Sequence, residues 1–161
     1  MTIKFAKINS ENTVVGVLCV DEKDCLDNGV HSEQKGIDFL NTLYNDNNYY
    51  YKESSKEIND QVIPLKGERL AIINGTYDQT NNWFVEEKPY NSWTLDSNGY
   101  WQPPVAKPTV ESNPSLGVPN KYIDSWNDEL LAWQARLINT ETYQNITNQI
   151  YIWNPETLSW Q

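Results

Sequence analysis

Two nine-residue stretches, Trp126–Gln134 (WNDELLAWQ) and Trp153–Gln161 (WNPETLSWQ), decide our expectation for the fold. They share Trp, Asn, Glu, Leu, Trp and Gln at matching positions. Asn154 followed by Pro155 is the arrangement that type I turns favour, so each tryptophan pair flanks a turn. Looser copies are Trp93–Trp101 (WTLDSNGYW) and Tyr77–Trp83 (YDQTNNW). The pattern predicts aromatic-clasped β-hairpins, meaning hairpins in which an aromatic pair spans the two strands.

The Trp126 copy also fits a helix. Ile123, Trp126, Leu130, Trp133 and Leu137 follow one another at spacings of three and four residues, which is the period of one helix face. We favour the hairpin because the matching copy contains Pro155 within its turn and is too short for a stable helix.

The N-terminal part carries signals for both strands and one helix. Residues 3–8 and 13–20 read as strands joined by the turn residues 9–12. Ser32 is a helix cap, and Asn45 opens a breaker cluster. We expect the helix to direct Ile37, Leu40 and Tyr44 inward, and we expect residues 53–60 to form a loop. Short strands are predicted at 49–52, 62–65 and 70–73.

Proline spacing suggests the domain boundaries. Five prolines lie between residues 103 and 119, which is typical of an extended connector. We therefore predict an N-terminal hairpin-helix-hairpin domain over 1–104, a Pro-rich linker over 105–120 and a C-terminal hairpin module over 121–161. The fold class is mostly β with one short helix (α+β), built from successive aromatic-clasped hairpins in small sheets.

The net charge of −10 restricts the partners. A surface this acidic repels phosphate backbones and anionic lipid heads, so we expect neither nucleic acid nor a membrane as a partner. No apolar run approaches the length of a membrane span, and no apolar segment follows Met1. Two cysteines, Cys19 and Cys25, are too few for a zinc site, and we expect them to be buried free thiols.

The sequence indicates no catalytic centre. Its one histidine, His31, lies beside the predicted helix cap, and no nucleophile or phosphate-binding motif accompanies it. The carboxylate pairs Glu86-Glu87 and Asp128-Glu129 read as solvated turns, and the acidic stretch 21–27 lacks the spacing of a calcium loop. We expect no enzymatic activity, no catalytic residues, no cofactor and no metal.

The aromatic residues are the remaining functional candidates. They could close their own hairpins, anchor a protein interface, where Trp and Tyr are enriched, or form a platform for sugar rings. We expect the first role for most of them and the second for the rest. The candidate interface residues are Trp93, Trp101, Pro103, Pro104, Trp126, Trp133, Trp153 and Trp160.

Several stretches resemble one family. They are residues 5–8 (FAKI), 14–17 (VVGV), 24–26 (DCL), 77–78 (YD), 88–93 (KPYNSW), 101–105 (WQPPV) and the closing hairpin 151–160. Together they are similar to small virion structural proteins of tailed phages that infect cyanobacteria and other aquatic bacteria. The chain departs from that family over 106–150, where such proteins often pass quickly to the last hairpin.

The resemblance implies a particle component. We expect a non-enzymatic virion protein, made in the host cytoplasm, that acts as a tail, baseplate or fibre-attachment component. Its partners would be other virion subunits, with a homo-oligomer inside the particle. The alternatives are a capsid decoration (cement) protein on the head and a carbohydrate-binding module that recognises a host glycan.

Overall fold

Antiparallel strands dominate the structure, a computed structural model that describes residues 1–108 and 120–161. Strands account for 47% of the described residues, which contain a single helix and several small antiparallel sheets. The predicted mostly β class with one short helix is therefore confirmed.

The chain forms two compact units, Met1–Lys88 and Pro89–Gln161. The first contains β1 Thr2–Ile8, β2 Val14–Asp21, a 3₁₀ turn Glu22–Cys25, β3 Leu26–Asp27, β4 Val30–His31, α1 Glu33–Tyr44, β5 Tyr50–Ile58, β6 Gln61–Pro64, β7 Thr76–Asp78 and β8 Trp83–Val85. The second contains β9 Thr94–Leu95, β10 Trp101–Gln102, β11 Asn120–Asn127, β12 Ala132–Asn139, β13 Asn145–Asn154 and β14 Ser159–Trp160.

In the N-terminal unit, one four-stranded sheet carries a separate core on each face. Its strand order is β2-β1-β5-β6. Because successive strand residues point to opposite faces, Phe5 packs with Leu40 of α1, while Ile8 packs with Phe84 of the β7–β8 hairpin. The sheet is thus buried on both sides, which explains why β1 is apolar along most of its length.

The predicted first hairpin and the helix are confirmed. The strands β1 and β2 pair in antiparallel register. The Oγ atom of Ser32 accepts a hydrogen bond from the Lys35 N–H, and Asn45 ends α1 in the left-handed conformation. The expected inward direction of Tyr44 is wrong, since its side chain is exposed.

Two predictions about the middle of this unit are wrong. Residues 53–58, expected as a loop, belong to β5, whose buried Glu53, Ser54 and Ser55 are polar. Residues 70–73, expected as a strand, form none. The Ala71 N–H donates to Ser54 Oγ at 2.7 Å instead of joining a strand ladder. Polar side chains can be buried in a strand when they form hydrogen bonds, and the sequence of such a strand then resembles that of a loop.

Gly36 provides a test of the helix–sheet contact. A Cβ atom at this position would lie 2.3 Å from Phe5 Cζ and 2.9 Å from Cys25 Sγ, both in the buried core. We expect Gly36→Ala to lower the free energy of unfolding by about 1–3 kcal/mol, the usual cost of overpacking. Urea titration would measure it. The control is Gly16→Ala, where the nearest atom is at an ordinary 3.9 Å. Equal effects in the two variants would contradict the prediction.

In the C-terminal unit, β11 and β12 form an antiparallel hairpin, with Trp126 paired to Trp133. The hairpin interpretation of residues 123–137 is therefore confirmed over the helix. The hairpin is half of a four-stranded sheet with the order β11-β12-β13-β14. At the other edge Trp153 pairs with Trp160. Both copies of the nine-residue motif thus place their tryptophans directly opposite each other.

Three loops of this unit have one shared hydrogen-bonding scheme. The side-chain oxygens of Asn127, Asn139 and Asn154 each accept from the backbone N–H groups two and three residues later. The fourth residue after each asparagine, Leu131, Tyr143 or Leu158, is left-handed, with φ between 50° and 56°. The copy at Asn139 was missed in the sequence because it has no flanking tryptophans. The sequence pattern that all three loops share is Asn, any residue, then Glu.

Of the looser copies, the Asp78 loop uses the same scheme with aspartate, and the Asp96 loop uses a variant of it in which the third residue after the aspartate is left-handed. The Asp78 carboxylate accepts from Thr80 and Asn81 N–H, and Asn82 is left-handed. The Asp96 carboxylate accepts from the Asn98 and Tyr100 N–H groups, and Gly99 is left-handed. An acidic or amide side chain at the first loop position therefore closes each of these hairpins.

The predicted domain boundary at residue 104 differs from the division between the two units. The segment 89–104 belongs to the C-terminal unit, although we expected it in the N-terminal domain. Of the predicted linker 105–120, residues 109–119 lie outside the described part of the chain.

Leu131 provides a test of the loop geometry. A left-handed conformation costs a residue with a Cβ atom roughly 1–2 kcal/mol, whereas glycine adopts it freely but loses more chain entropy on folding. We expect Leu131→Gly to raise the free energy of unfolding by about 0.5–1 kcal/mol. Urea unfolding monitored by tryptophan fluorescence would measure this change. The matched control is Leu130→Gly, at an exposed position without positive φ, which should lower stability. The same sign in both variants would contradict the prediction.

Candidate functional site

Five of the eight candidate interface residues meet in one aromatic cluster of the C-terminal unit. Trp126, Trp133 and Trp153 are buried, and Trp93 and Trp160 pack against them. The paired rings lie edge to face, with centroids 5.5 Å apart for Trp126–Trp133 and 5.2 Å for Trp153–Trp160. Such aromatic pairs contribute about 0.5–1.5 kcal/mol each beyond the area they bury. The cluster is one of two buried clusters in its unit, beside the one formed by Tyr122, Ala135 and Leu137.

Indole N–H groups of the cluster form hydrogen bonds to other residues of the same unit. The Trp133 N–H donates to the Val105 carbonyl at 2.9 Å. The Trp126 N–H is shared between Ser92 Oγ at 3.2 Å and Asp128 Oδ1 at 3.1 Å. The buried Trp93 N–H has no hydrogen-bond partner among the described residues. The indole N–H groups of Trp126 and Trp133 are thus satisfied inside the unit and are not available to bind a partner.

Asp128 joins the 89–93 segment to the β11–β12 loop. Its carboxylate accepts from the backbone N–H groups of Asn91 and Ser92, at 3.1 and 3.2 Å, and from the hydroxyl of Ser92. These hydrogen bonds, led by the one from the Ser92 side chain, lower the pKa of Asp128. The carboxylate that the sequence placed in a solvated turn is an anchor for the segment that covers the aromatic cluster.

The other three candidates lie elsewhere. Trp101 is half-buried in β10, opposite Leu95 in the two-stranded β9–β10 sheet. Pro103 is half-buried and Pro104 is exposed, directly after that strand. The eight residues therefore do not form one surface.

His31 contacts a buried carboxylate in the N-terminal unit. Its Nε2 lies 2.8 Å from Oε1 of the buried Glu53, without the alignment of a hydrogen bond. Burial raises the pKa of Glu53, the His31 charge opposes this shift, and the Glu33 charge adds to it. The Glu33 carboxylate in turn accepts from Lys66 Nζ at 2.7 Å and from the Glu53 N–H at 3.0 Å. The group joins β4, α1, β5 and the segment after β6.

The two cysteines are free but differ in exposure. Cys25 is buried, as expected, and burial, assisted by the Glu53 charge, raises the pKa of its thiol to about 11. Because the thiolate is the nucleophile, this thiol is unreactive at neutral pH despite a histidine nearby in the chain. Cys19 is exposed, so the expectation that both thiols are buried is wrong for this residue.

The outer face of the C-terminal sheet is a feature that the sequence analysis missed. Ile123, Arg136 and Ile150 form one cross-strand row on this face, and all three are exposed. Together with neighbouring side chains they line a concave depression of about 500 Å³. The alternation of Trp133, Ala135 and Leu137 with Gln134, Arg136 and Ile138 was the available signal. We call this surface the Ile-Arg face.

Within residues 1–108 and 120–161, no group of three or more His, Cys, Asp or Glu side chains is placed to hold a metal ion. No helix in the same part of the chain is long and apolar enough to cross a membrane.

Comparison of the chain with models of protein families, with curated protein sequences and with solved structures finds no match.

The lowered pKa of Asp128 predicts how the stability of the protein depends on pH. A folded-state pKa below the unfolded value means that the hydrogen bonds of this carboxylate stabilise the protein above pH 4 and are lost as the pH falls. We expect Asp128→Asn to lower the melting temperature at pH 7, and this difference from wild type should shrink towards pH 3. Thermal unfolding across that range would measure it.

The control for Asp128 is Glu129→Gln, which removes a charge from the same exposed loop. Its difference from wild type should stay small at every pH. A constant melting difference between Asp128→Asn and wild type would show that the ionised carboxylate is not what anchors the 89–93 segment.

Proposed function

We propose that the chain is a non-enzymatic structural protein of a phage particle, a tail, baseplate or fibre-attachment component that binds other virion subunits. The stretches that resemble virion proteins are spread along the chain from residue 5 to residue 160 and include one edge of the C-terminal sheet, the β14 strand. The partners would be proteins, and a homo-oligomer inside the particle is part of the proposal.

The observation that carries the proposal is the Ile-Arg face, which the other described residues leave exposed. The inner face of the same sheet is filled by the aromatic cluster, whereas Ile123 and Ile150 each leave 46% of their surface exposed. Fully covering an aliphatic side chain contributes about 1.5–3 kcal/mol. A subunit that gains this energy only on assembly suits a particle component better than an isolated binding module.

The geometry changes which residues would make the contact. Trp126, Trp133 and Trp153 are covered by their own unit, so we assign them to the stability of the fold. The exposed sheet face replaces them as the surface through which a neighbouring subunit would bind. Gathered aliphatic side chains on a rigid sheet are suited to protein contacts, since the strands hold them in place before binding.

The experiment is to locate the protein on purified particles of the phage that encodes it. We expect immunogold label, with antibodies raised against the full chain, at the tail or its tip. Label confined to the heads would reject the tail placement in favour of capsid decoration. Particles that contain none of the protein by mass spectrometry would contradict a virion role. Particles probed with pre-immune serum are the control.

A further inference from the structure

At the centre of the Ile-Arg face, a positively charged side chain lies among exposed aliphatic side chains. Arg136 lies directly between its cross-strand partners Ile123 and Ile150. The next row contains Ser125, Gln134 and Ile152 in the same register. A single cation therefore stands in the middle of an aliphatic row on a rigid three-stranded surface.

Arg136 has no counter-ion among the residues that the structure describes. Asp124 also lines the depression, but its carboxylate is 3.1 Å from Lys107 Nζ and belongs to that pair. Acids outnumber bases 22 to 12 in the chain, so an arginine that pairs with no acid in the described part of the chain is not explained by a general excess of cations.

We propose that the Ile-Arg face binds a segment of another protein in which aliphatic side chains flank one carboxylate. The guanidinium would hold that carboxylate through two parallel hydrogen bonds, while Ile123 and Ile150 would pack on the flanking side chains. The ion pair and the apolar contacts are both needed, because the attraction between the Arg136 guanidinium and a carboxylate is stronger when apolar contacts around it exclude water. The inference rests on the proposed function for the identity of the partner as a virion subunit.

Two other occupants fit the face less well. In a symmetric pair of copies meeting through the centre of this face, two Arg136 side chains would oppose each other, and like charges are unfavourable there. A sugar ring stacks on aromatic faces, but the central row is aliphatic. The nearest exposed aromatic side chain, Tyr143, is 79% exposed in the loop at the rim.

Photocrosslinking in assembled particles tests the proposal. A benzophenone amino acid replaces Ile150 in the full chain, particles are purified after irradiation, and the crosslinked peptide is identified by mass spectrometry. We expect a peptide of a different virion protein with Asp or Glu next to aliphatic residues. The matched control carries the same crosslinker at Val15, an exposed position on β2 of the other unit.

Charge reversal tests the role of Arg136 itself. We expect Arg136→Glu to reduce incorporation into particles about tenfold or more, the scale of a lost charged hydrogen-bond pair. Replacing the crosslinked partner carboxylate by arginine should restore it. Arg136→Lys should retain part of the binding, since it keeps the charge without the bidentate geometry. Unchanged tryptophan fluorescence and melting temperature would show that the variants fold.

The outcomes separate this inference from the proposed function. Wild-type protein in particles together with normal incorporation of Arg136→Glu would overturn the inference and leave the proposed function in place. Absence of the wild-type protein from particles would overturn both. A crosslink to a second copy of the chain would assign the face to self-association. Binding of a polyuronate to wild type that Arg136→Gln abolishes would assign it to an acidic saccharide. Either result would overturn the protein segment proposed here.

Discussion

The hairpin loops in which an asparagine or aspartate side chain accepts two backbone N–H groups are the constraint on which the rest of the structure depends. In the C-terminal unit, Asn127 and Asn154 each close a loop whose fourth residue is left-handed. A loop of fixed length fixes the register, and a slip of one residue would turn every side chain to the opposite face. With the register set, Trp126 faces Trp133 and Trp153 faces Trp160, and all four rings reach the same side of the sheet.

This shared geometry explains why bulky residues occupy strained positions. Of the ten non-glycine residues with positive φ in the described part of the chain, seven are Asn or Asp, which tolerate that conformation. The exceptions are Leu131, Tyr143 and Leu158, and each occupies the left-handed position of a loop that asparagine opens. The side-chain hydrogen bonds and the aromatic pairs beside two of these loops offset the local cost. Local strain is therefore accepted where it sets the register of the whole sheet.

The two faces of the C-terminal sheet have separate roles. The inner face is an aromatic core covered by the 89–93 segment, which Asp128 holds in place. Within residues 1–108 and 120–161 no such segment covers the outer face, and its aliphatic side chains surround one arginine. The N-terminal sheet differs, because α1 and the β7–β8 hairpin bury both of its faces. In our proposal the N-terminal unit contributes stability, and the C-terminal unit provides the contact with a neighbouring subunit.

The sequence by itself determined the hairpins that carry aromatic pairs, the first strand pair and α1, but not the β5–β6 and β12–β13 pairs. The signals for the determined elements are local: Asn154 before Pro155, Gly99 after Asp96, Ser32 at the start of α1 and Asn45 at its end. Residues 53–58 and 70–73 could not be assigned correctly. Ser54 accepts a hydrogen bond from the Ala71 N–H across 17 residues, and local sequence patterns carry no information about such a distant contact. The tryptophans were recognised as important, but their burial depends on which segment covers them. Only the tertiary structure decided that Trp126 and Trp133 face inward while Ile123 and Arg136 face outward, since strand periodicity separates two faces without indicating which one the chain will cover.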